Sequence, residues 1–223
     1  MAMEKDAMLR LMVDTGVYLV TEDGVPAERR IRAVAEALAA GARVVQLRDK
    51  STPKRALLEE AREIRALCAE HGAAFIVNDD VALAWCADAD GVHVGQDDLP
   101  VREARRLLGP ERVVGLSVSA LEEALEAVEA GADYIGVGAI YATPTKTDAE
   151  LGGLDLLRSV RAAVRAPLVA IGGIDATNCV EVFRAGADAV AVVRAVFARP
   201  DVAAATRELL ELARSARGSK ERG

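Results

Sequence analysis

Positive charge is what this chain has too little of: 28 Lys and Arg stand against 35 Asp and Glu, a formal net charge of -7. That balance argues against a protein that coats nucleic acid or lies on an anionic membrane. Any phosphate it binds must be met locally, by cations, a metal or backbone amides. Runs of eighteen apolar residues are missing, and Glu4, Lys5 and Asp6 precede the first apolar stretch, so neither a membrane span nor a secretory signal is expected. The three cysteines, Cys68, Cys86 and Cys179, are too widely spaced for a redox pair or a metal cluster. They read as buried thiols in a reducing cytoplasm. Phosphate-binding Gly-Lys-Ser/Thr loops, nucleophile elbows and dinucleotide fingerprints are absent too, so ATP- or NAD-dependent chemistry is not indicated.

What is present is a repeat. The 223 residues, 52% of them hydrophobic, suffice for one large core and predict a single domain over 1–223, with a frayed tail over 214–223. Ala-rich helical stretches end at Ala40-Gly41-Ala42, Ala130-Gly131-Ala132 and Ala185-Gly186-Ala187, each followed by a short apolar run. Such glycines suit the left-handed residue that closes a helix before a strand. Strands are predicted at 17–20, 44–48, 74–78, 91–94, 113–117, 134–138, 168–171 and 189–193, with helices at 28–40, 54–70, 80–87, 100–108, 120–130, 154–165, 176–185 and after 195. Eight alternations predict a single-domain (β/α)8 barrel, of α/β class. Whether residues 1–12 cover its floor is left open by the sequence.

In such a barrel chemistry collects where strands end and helices have yet to begin. Gln46, Arg48 and Lys50 recur at every second position of the second strand, opposite Val45 and Leu47. One face is thus polar, either as a pocket wall for an anion or as edge protection; a closed barrel removes the edge. Asn78, Asp79, Asp98 and Ser117 follow at the next three strand ends, and the long loop from Ala139 to Leu151 holds Thr143, Thr145 and Lys146. Its composition suits a lid. Asp79 and Asp98 offer hard oxygen ligands for Mg²⁺, although each alone could be a helix cap. Gly172-Gly173 and the chain at Val193-Arg194 could hold a phosphomonoester on backbone amides, or serve only as a tight turn. Gly136 is expected to fill the barrel interior, while Gly138 is open between packing and ligand space. His93 reads as a hydrogen-bonded barrel residue, His71 as a helix-end residue and Trp85 as core.

The series Tyr18-Leu19-Val20-Thr21, Gln46-Leu47-Arg48-Asp49-Lys50, Val77-Asn78-Asp79, Gly91 to Asp98, Thr143-Pro144-Thr145-Lys146 and Ile171-Gly172-Gly173-Ile174 resembles the thiamine phosphate synthase (thiamine-phosphate pyrophosphorylase) family, in order, over nearly the whole chain. The resemblance implies a cytoplasmic transferase of thiamine biosynthesis. It would condense 4-amino-2-methyl-5-(diphosphooxymethyl)pyrimidine with 4-methyl-5-(2-phosphooxyethyl)thiazole, giving thiamine phosphate and diphosphate. Position by position it implies that Gln46, Arg48, Lys50, Asn78, Ser117 and Lys146 hold the pyrimidine diphosphate, with Arg48, Lys50, Lys146 and Ser117 catalytic and Asp79 and Asp98 binding Mg²⁺. Thr143, Thr145, Gly173, Val193 and Arg194 would receive the thiazole phosphate. The chain departs from the pattern at Val118-Ser119, where a His is frequent, at Arg194, where a Ser is common, and at Ala139 in place of a Pro. Partners are small phosphorylated molecules, neither nucleic acid nor membrane, and a homo-oligomer is left open. Two other readings are a thiazole tautomerase on the same barrel, which needs neither the cations nor the metal pair, and a non-catalytic barrel that senses a phosphate metabolite.

Overall fold

Short apolar runs and amphipathic helices alternate because period-two and period-3.6 patterns alternate in the sequence. The structure is a computed structural model that describes residues 3–142 and 151–220. Helix α1 (Lys5–Thr15) leads into β1 (Val17–Val20), α2 (Ala27–Ala39), β2 (Val44–Leu47), α3 (Lys54–Glu70) and β3 (Ala74–Asn78). Then follow α4 (Val81–Cys86), β4 (Gly91–Val94), α5 (Val101–Leu108), β5 (Val113–Val118), α6 (Leu121–Ala130) and β6 (Tyr134–Val137). The last elements are α7 (Gly153–Ala163), β7 (Leu168–Ile171), α8 (Cys179–Arg184), β8 (Ala189–Val192), α9 (Arg194–Phe197) and α10 (Val202–Lys220). All strands run parallel in sequence order and β8 closes on β1, a (β/α)8 barrel. Pro26, Pro53 and Pro100 stand at the N-caps of α2, α3 and α5, where a fixed φ and a missing amide are no loss. Gly41, Gly131 and Gly186 all have positive φ, at 113°, 90° and 119°, as their triplets predict.

The two faces of each strand bury different partners. Val17, Leu19, Val45, Leu47, Phe75, Val77, Val92 and Val114 point out under the helices. Tyr18, Val20, Val44, Ala74, Ile76, Val113, Tyr134, Val169, Ala189 and Ala191 share the barrel interior with Met8 and Met12 of α1. Spaced four apart, those methionines lie on one face of α1, and both are fully buried. Helix α1 therefore closes the barrel's N-terminal end, a point that the sequence alone leaves open.

The same end is laced by three aspartates. Asp90, Asp133 and Asp188 stand just before β4, β6 and β8, and each accepts a backbone amide of the neighbouring odd strand at 2.8 Å: Phe75, Val114 and Leu168. Each also meets an arginine from the helix before that odd strand: Arg65 at 3.6 Å, Arg105, and Arg161 at 2.9 Å. Charges that look isolated in sequence are thus fully engaged.

In and next to the segment expected as a tail, α10 continues to Lys220, Ala213 and Ala216 are buried, and the Arg217 guanidinium donates to the Asp14 carbonyl. Two expectations change. Trp85 is not core but 60% exposed, because the six residues of α4 present Val81, Leu83 and Ala84 inward and leave Trp85 outside. Next to it Cys86 is exposed too, while Cys68 and Cys179 are buried. Among the described residues no helix is long and apolar enough to cross a membrane.

Candidate active site

Strand order and parity bring those predicted residues that the structure describes to one rim. Gln46 is the last inward position of β2, and Arg48 and Lys50 lie just beyond the strand, in the turn toward α3. The alternation that suggests three residues on one strand face therefore holds for Gln46 alone. Arg48 is fixed by other means: Thr21 Oγ1 accepts its amide at 2.9 Å and donates to its carbonyl at 3.1 Å, while Asp23 lies 3.5 Å from its guanidinium. Asp23 also accepts the Lys50 amide at 3.1 Å. Neither Thr21 nor Asp23 carries a sequence signal for this role, since both bonds cross 27 or 25 residues of chain.

Between Arg48 and Lys50 sits Asp49, the centre of a buried ion cluster. Arg30 of α2 donates to Asp49 at 2.7 Å and to Glu60 of α3 at 2.7 Å, with all three side chains at most 2% exposed. Asp49 also accepts the amides of Ser51 and Thr52 at 2.8 Å each, and the Thr52 hydroxyl. Burial opposes its ionisation, but the Thr52 and Ser51 amides, the Thr52 hydroxyl and Arg30 together hold the carboxyl well below the usual carboxylate range. A depressed folded pKa contributes stability that is present above the unfolded value, roughly 4, and lost as pH falls through the folded one. Acid melts should therefore show wild type losing stability below about pH 4 more steeply than Asp49→Asn. The sequence signal for the cluster exists: Arg30 shares the buried face of α2 with Val34 and Leu38, and Glu60 that of α3 with Leu57 and Ile64.

Beyond β3 and β4 two carboxylates face each other. Asp79 takes φ 63°, a left-handed conformation uncommon for a non-glycine residue, and its amide donates to the His93 carbonyl at 2.7 Å. Asp98 accepts the Gly95 amide at 2.7 Å and lies within hydrogen-bonding reach of the Asp79 carboxyl. Burial first, and the Asp98 carboxyl second, raise the Asp79 pKa, while Lys50 at 3.3 Å pulls the other way. Partly desolvated like charges of this kind are what a divalent cation relieves, and Mg²⁺ takes one or two carboxylates, with water and substrate phosphate completing its shell. The donor set fits. No cluster of three or more ligating side chains occurs among the described residues. Asp80, the neighbour, is the helix cap instead: it accepts the Leu83 amide at 2.8 Å and pairs with Lys54 at 2.7 Å.

The barrel floor of this rim is polar and continuous. Gln46 Nε2 donates to Tyr18 Oη at 2.8 Å, Tyr18 meets Tyr134 Oη at 2.9 Å, Tyr134 meets His93 Nδ1 at 2.9 Å, and His93 Nε2 meets Ser117 Oγ at 2.8 Å. His93 is hydrogen-bonded inside the barrel, as read from the sequence. Tyr18 and Tyr134 carry no such reading, for their bond spans 116 residues. Gly136 makes room for this row: a Cβ there would lie 2.9 Å from His93 Cε1. Gly136→Ala should overpack the interior by about 1–3 kcal/mol, lowering the melting temperature by several degrees, on the order of 2–4 °C per kcal/mol. A thermal melt unchanged within 1 °C, on the order of experimental error, would show that the ring yields freely. Gly138 is packing as well, since a Cβ would meet the Ile171 carbonyl oxygen at 2.6 Å.

Strands β7 and β8 supply the third part. Gly172 and Gly173 have φ 104° and 63°, so a side chain at either would be strained, and the Asn178 amide holds the Gly173 carbonyl at 3.0 Å. Val193 caps α9 and Arg194 opens it, its guanidinium 3.1 Å from Glu22. The base of the long loop is tied to this end: the Ile140 and Tyr141 amides donate to the Ile171 and Gly172 carbonyls at 2.9 and 3.0 Å, and the Gly152 and Gly153 amides converge on the Ala139 carbonyl at 3.1 and 3.2 Å. Thr143, Thr145 and Lys146 lie outside the described residues.

A closed (β/α)8 barrel with cations, paired carboxylates and a glycine turn on its C-terminal rim is of the class that binds phosphorylated small molecules. The family model of thiamine monophosphate synthase matches residues 17–196. The thiamine-phosphate synthase of Chloroflexus aurantiacus is 53% identical over 203 residues, covering 90% of this chain and 94% of its own, and that of Moorella thermoacetica is 51% identical over 183 residues, covering 82% and 87%. Among solved structures, thiamine phosphate pyrophosphorylase from Pyrococcus furiosus superposes with a TM-score of 0.84 at 39% identity, covering 92% of this chain and 98% of that one. The chain belongs to the thiamine monophosphate synthase family.

Proposed function

We propose that the chain makes thiamine phosphate by joining 4-amino-2-methyl-5-(diphosphooxymethyl)pyrimidine to 4-methyl-5-(2-phosphooxyethyl)thiazole, with release of diphosphate and dependence on Mg²⁺. The observation that carries this reading is the Asp79–Asp98 pair, with Lys50 at 3.3 Å and Arg48 fixed beside it on the same rim. Arg48 and Lys50 would grip the diphosphate, the guanidinium through paired charged hydrogen bonds and the ammonium as a point charge. Lys146 would join them from the long loop. Asp79 and Asp98 would hold Mg²⁺, which when bound neutralises charge on the diphosphate oxygens.

In this family's dissociative chemistry the bond to diphosphate breaks first, and the thiazole nitrogen captures the pyrimidinyl-methyl cation. The protein's task is to stabilise negative charge that grows on a leaving group, which needs fixed cations rather than a nucleophile. Ser117, Asn78 and Gln46 would orient the pyrimidine over the barrel. The backbone at Gly173, Val193 and Arg194, with Thr143 and Thr145, would hold the thiazole phosphate. Arg194 adds a cation where a smaller residue is common, and its pairing with Glu22 leaves the neighbouring amides as the phosphate donors. Two buried free thiols suit a reducing cytoplasm.

Incubation with both substrates, with Mg²⁺ or with EDTA, tests the proposal. Thiamine phosphate and diphosphate should form in equal amounts and only with the metal. Isomerisation of the thiazole precursor without diphosphate release would identify a tautomerase, and binding of thiazole phosphate without turnover a sensor; either result overturns the reading.

A further inference from the structure

Five side chains from five strands form one row through the barrel: Gln46 of β2, Tyr18 of β1, Tyr134 of β6, His93 of β4 and Ser117 of β5. Burial keeps both phenols neutral, so each hydroxyl has a single proton to give to a single neighbour. That condition orders the row. With Gln46 donating through Nε2, Tyr18 must donate to Tyr134, and Tyr134 to Nδ1 of His93. The ring proton then sits on Nε2 and is donated to Ser117, whose own hydroxyl proton is left for the barrel mouth. At the other end Gln46 Oε1 has no hydrogen-bond partner among the described residues. Because no fully buried side-chain oxygen or nitrogen among them lacks one, Oε1 opens to the mouth as an acceptor. Reversing one bond reverses all: the amide flips, the ring proton moves to Nδ1, and Ser117 presents lone pairs outward.

We propose that this row is a polarised relay that fixes the tautomer of His93 and couples Gln46 to Ser117, so that a ligand is read as a donor at one end and an acceptor at the other together. Tyr18, Tyr134 and His93 are positioning residues; Gln46 and Ser117 are the groups that touch the ligand. The inference rests on the reading that these two line the pyrimidine site. A 4-aminopyrimidine offers an exocyclic N–H beside ring-nitrogen lone pairs, the pattern the relay accepts. Its 4-oxo analogue offers a carbonyl beside a ring N–H and fits only the reversed row, in which a proton has moved at every link.

The relay is tested first on the protein without ligand, by ¹⁵N spectra of its two histidine rings at alkaline pH. His71 Nδ1 lies 3.0 Å from the Leu67 carbonyl, which can only accept, so His71 should be the Nδ1–H tautomer and His93 the Nε2–H tautomer. Tyr134→Phe removes the donor to Nδ1 and should release His93 into a tautomer mixture. Tyr18→Phe leaves that donor in place, so His93 should stay in the Nε2–H form while the Gln46 amide loses its fixed orientation. A merely structural role for the row would not separate the two variants. A mixed or Nδ1–H His93 in the unsubstituted protein overturns the relay on its own, should Tyr134→Phe not fold, and an unaltered tautomer in folded Tyr134→Phe overturns it too.

The coupling is tested by kcat/KM for the amino substrate against its oxo analogue. The unsubstituted protein should discriminate by about 100-fold or more, and both variants by roughly 10-fold or less. Discrimination unchanged in both variants overturns the coupling. If the tautomers behave as stated and no thiamine phosphate forms from either substrate, the pyrimidine reading has failed and the relay stands.

Discussion

Asp98→Asn should lower kcat by roughly 10³-fold or more and, in EDTA, raise the melting temperature by about 2–4 °C. The two effects have one origin. In the absence of a cation Asp79 and Asp98 repel each other, and the raised Asp79 pKa shows that the folded protein holds this proton more tightly than the unfolded chain does. Between the unfolded carboxylate value and the raised one, stability therefore falls as pH rises, and at neutral pH the pair is a liability. An asparagine keeps the acceptor for the Gly95 amide, 2.7 Å away, and removes the charge. Mg²⁺ should stabilise wild type and leave the variant unmoved. A variant that melts lower in EDTA, or that turns over at wild-type rate, would show the pair to be structural.

Arg30→Ala should cost about 3–5 kcal/mol of stability, a fall in melting temperature on the order of 10 °C, because Asp49 and Glu60 would be left charged, buried and unpaired. Function should fall with it. Asp49 organises the turn whose flanking residues are Arg48 and Lys50, and its bonds to the Ser51 and Thr52 amides start that turn. Kinetics on the fraction still folded at low temperature should show a raised KM for the pyrimidine diphosphate. Glu60→Gln, which keeps a hydrogen-bond acceptor for the guanidinium, should be milder on both counts. Equal damage from the two substitutions would assign the cluster a packing role rather than an ionic one.

Much of the barrel is written locally. Strand runs such as Ala74–Asn78 and Gly91–Val94 stand where apolar runs and glycine punctuation place them, and proline marks three helix starts. Local pattern is insufficient where the partner is remote. Met8 and Met12 show helical spacing, yet their burial depends on strands of the whole barrel. Trp85 looks like core because its neighbours are apolar, and the shortness of α4 is what turns it outward. The rim residues could be assembled from strand ends because a parallel barrel puts every such end on one side. Most of what holds them could not: Thr21, Asp23, Tyr18 and Tyr134 act through contacts between distant segments, whereas Arg30 and Glu60 announce themselves as charges on apolar helix faces. The end proposed for the thiazole phosphate is legible as glycine spacing, without the ties that bind it to Ile140 and Tyr141.

The aspartates at the barrel floor bear on the opposite end of the molecule. Each ties an even strand to the odd strand before it and to that strand's leading helix, so the barrel is counted in twos: β3 with β4, β5 with β6, β7 with β8. Asp79 and Asp98 belong to one such pair, and Asp90 bolts that pair together at the far end from the carboxylates. The two jaws that would clasp the metal thus close one strand pair that is pinned at both ends, by Asp90 at the floor and by the Asp79 amide on the His93 carbonyl at the rim.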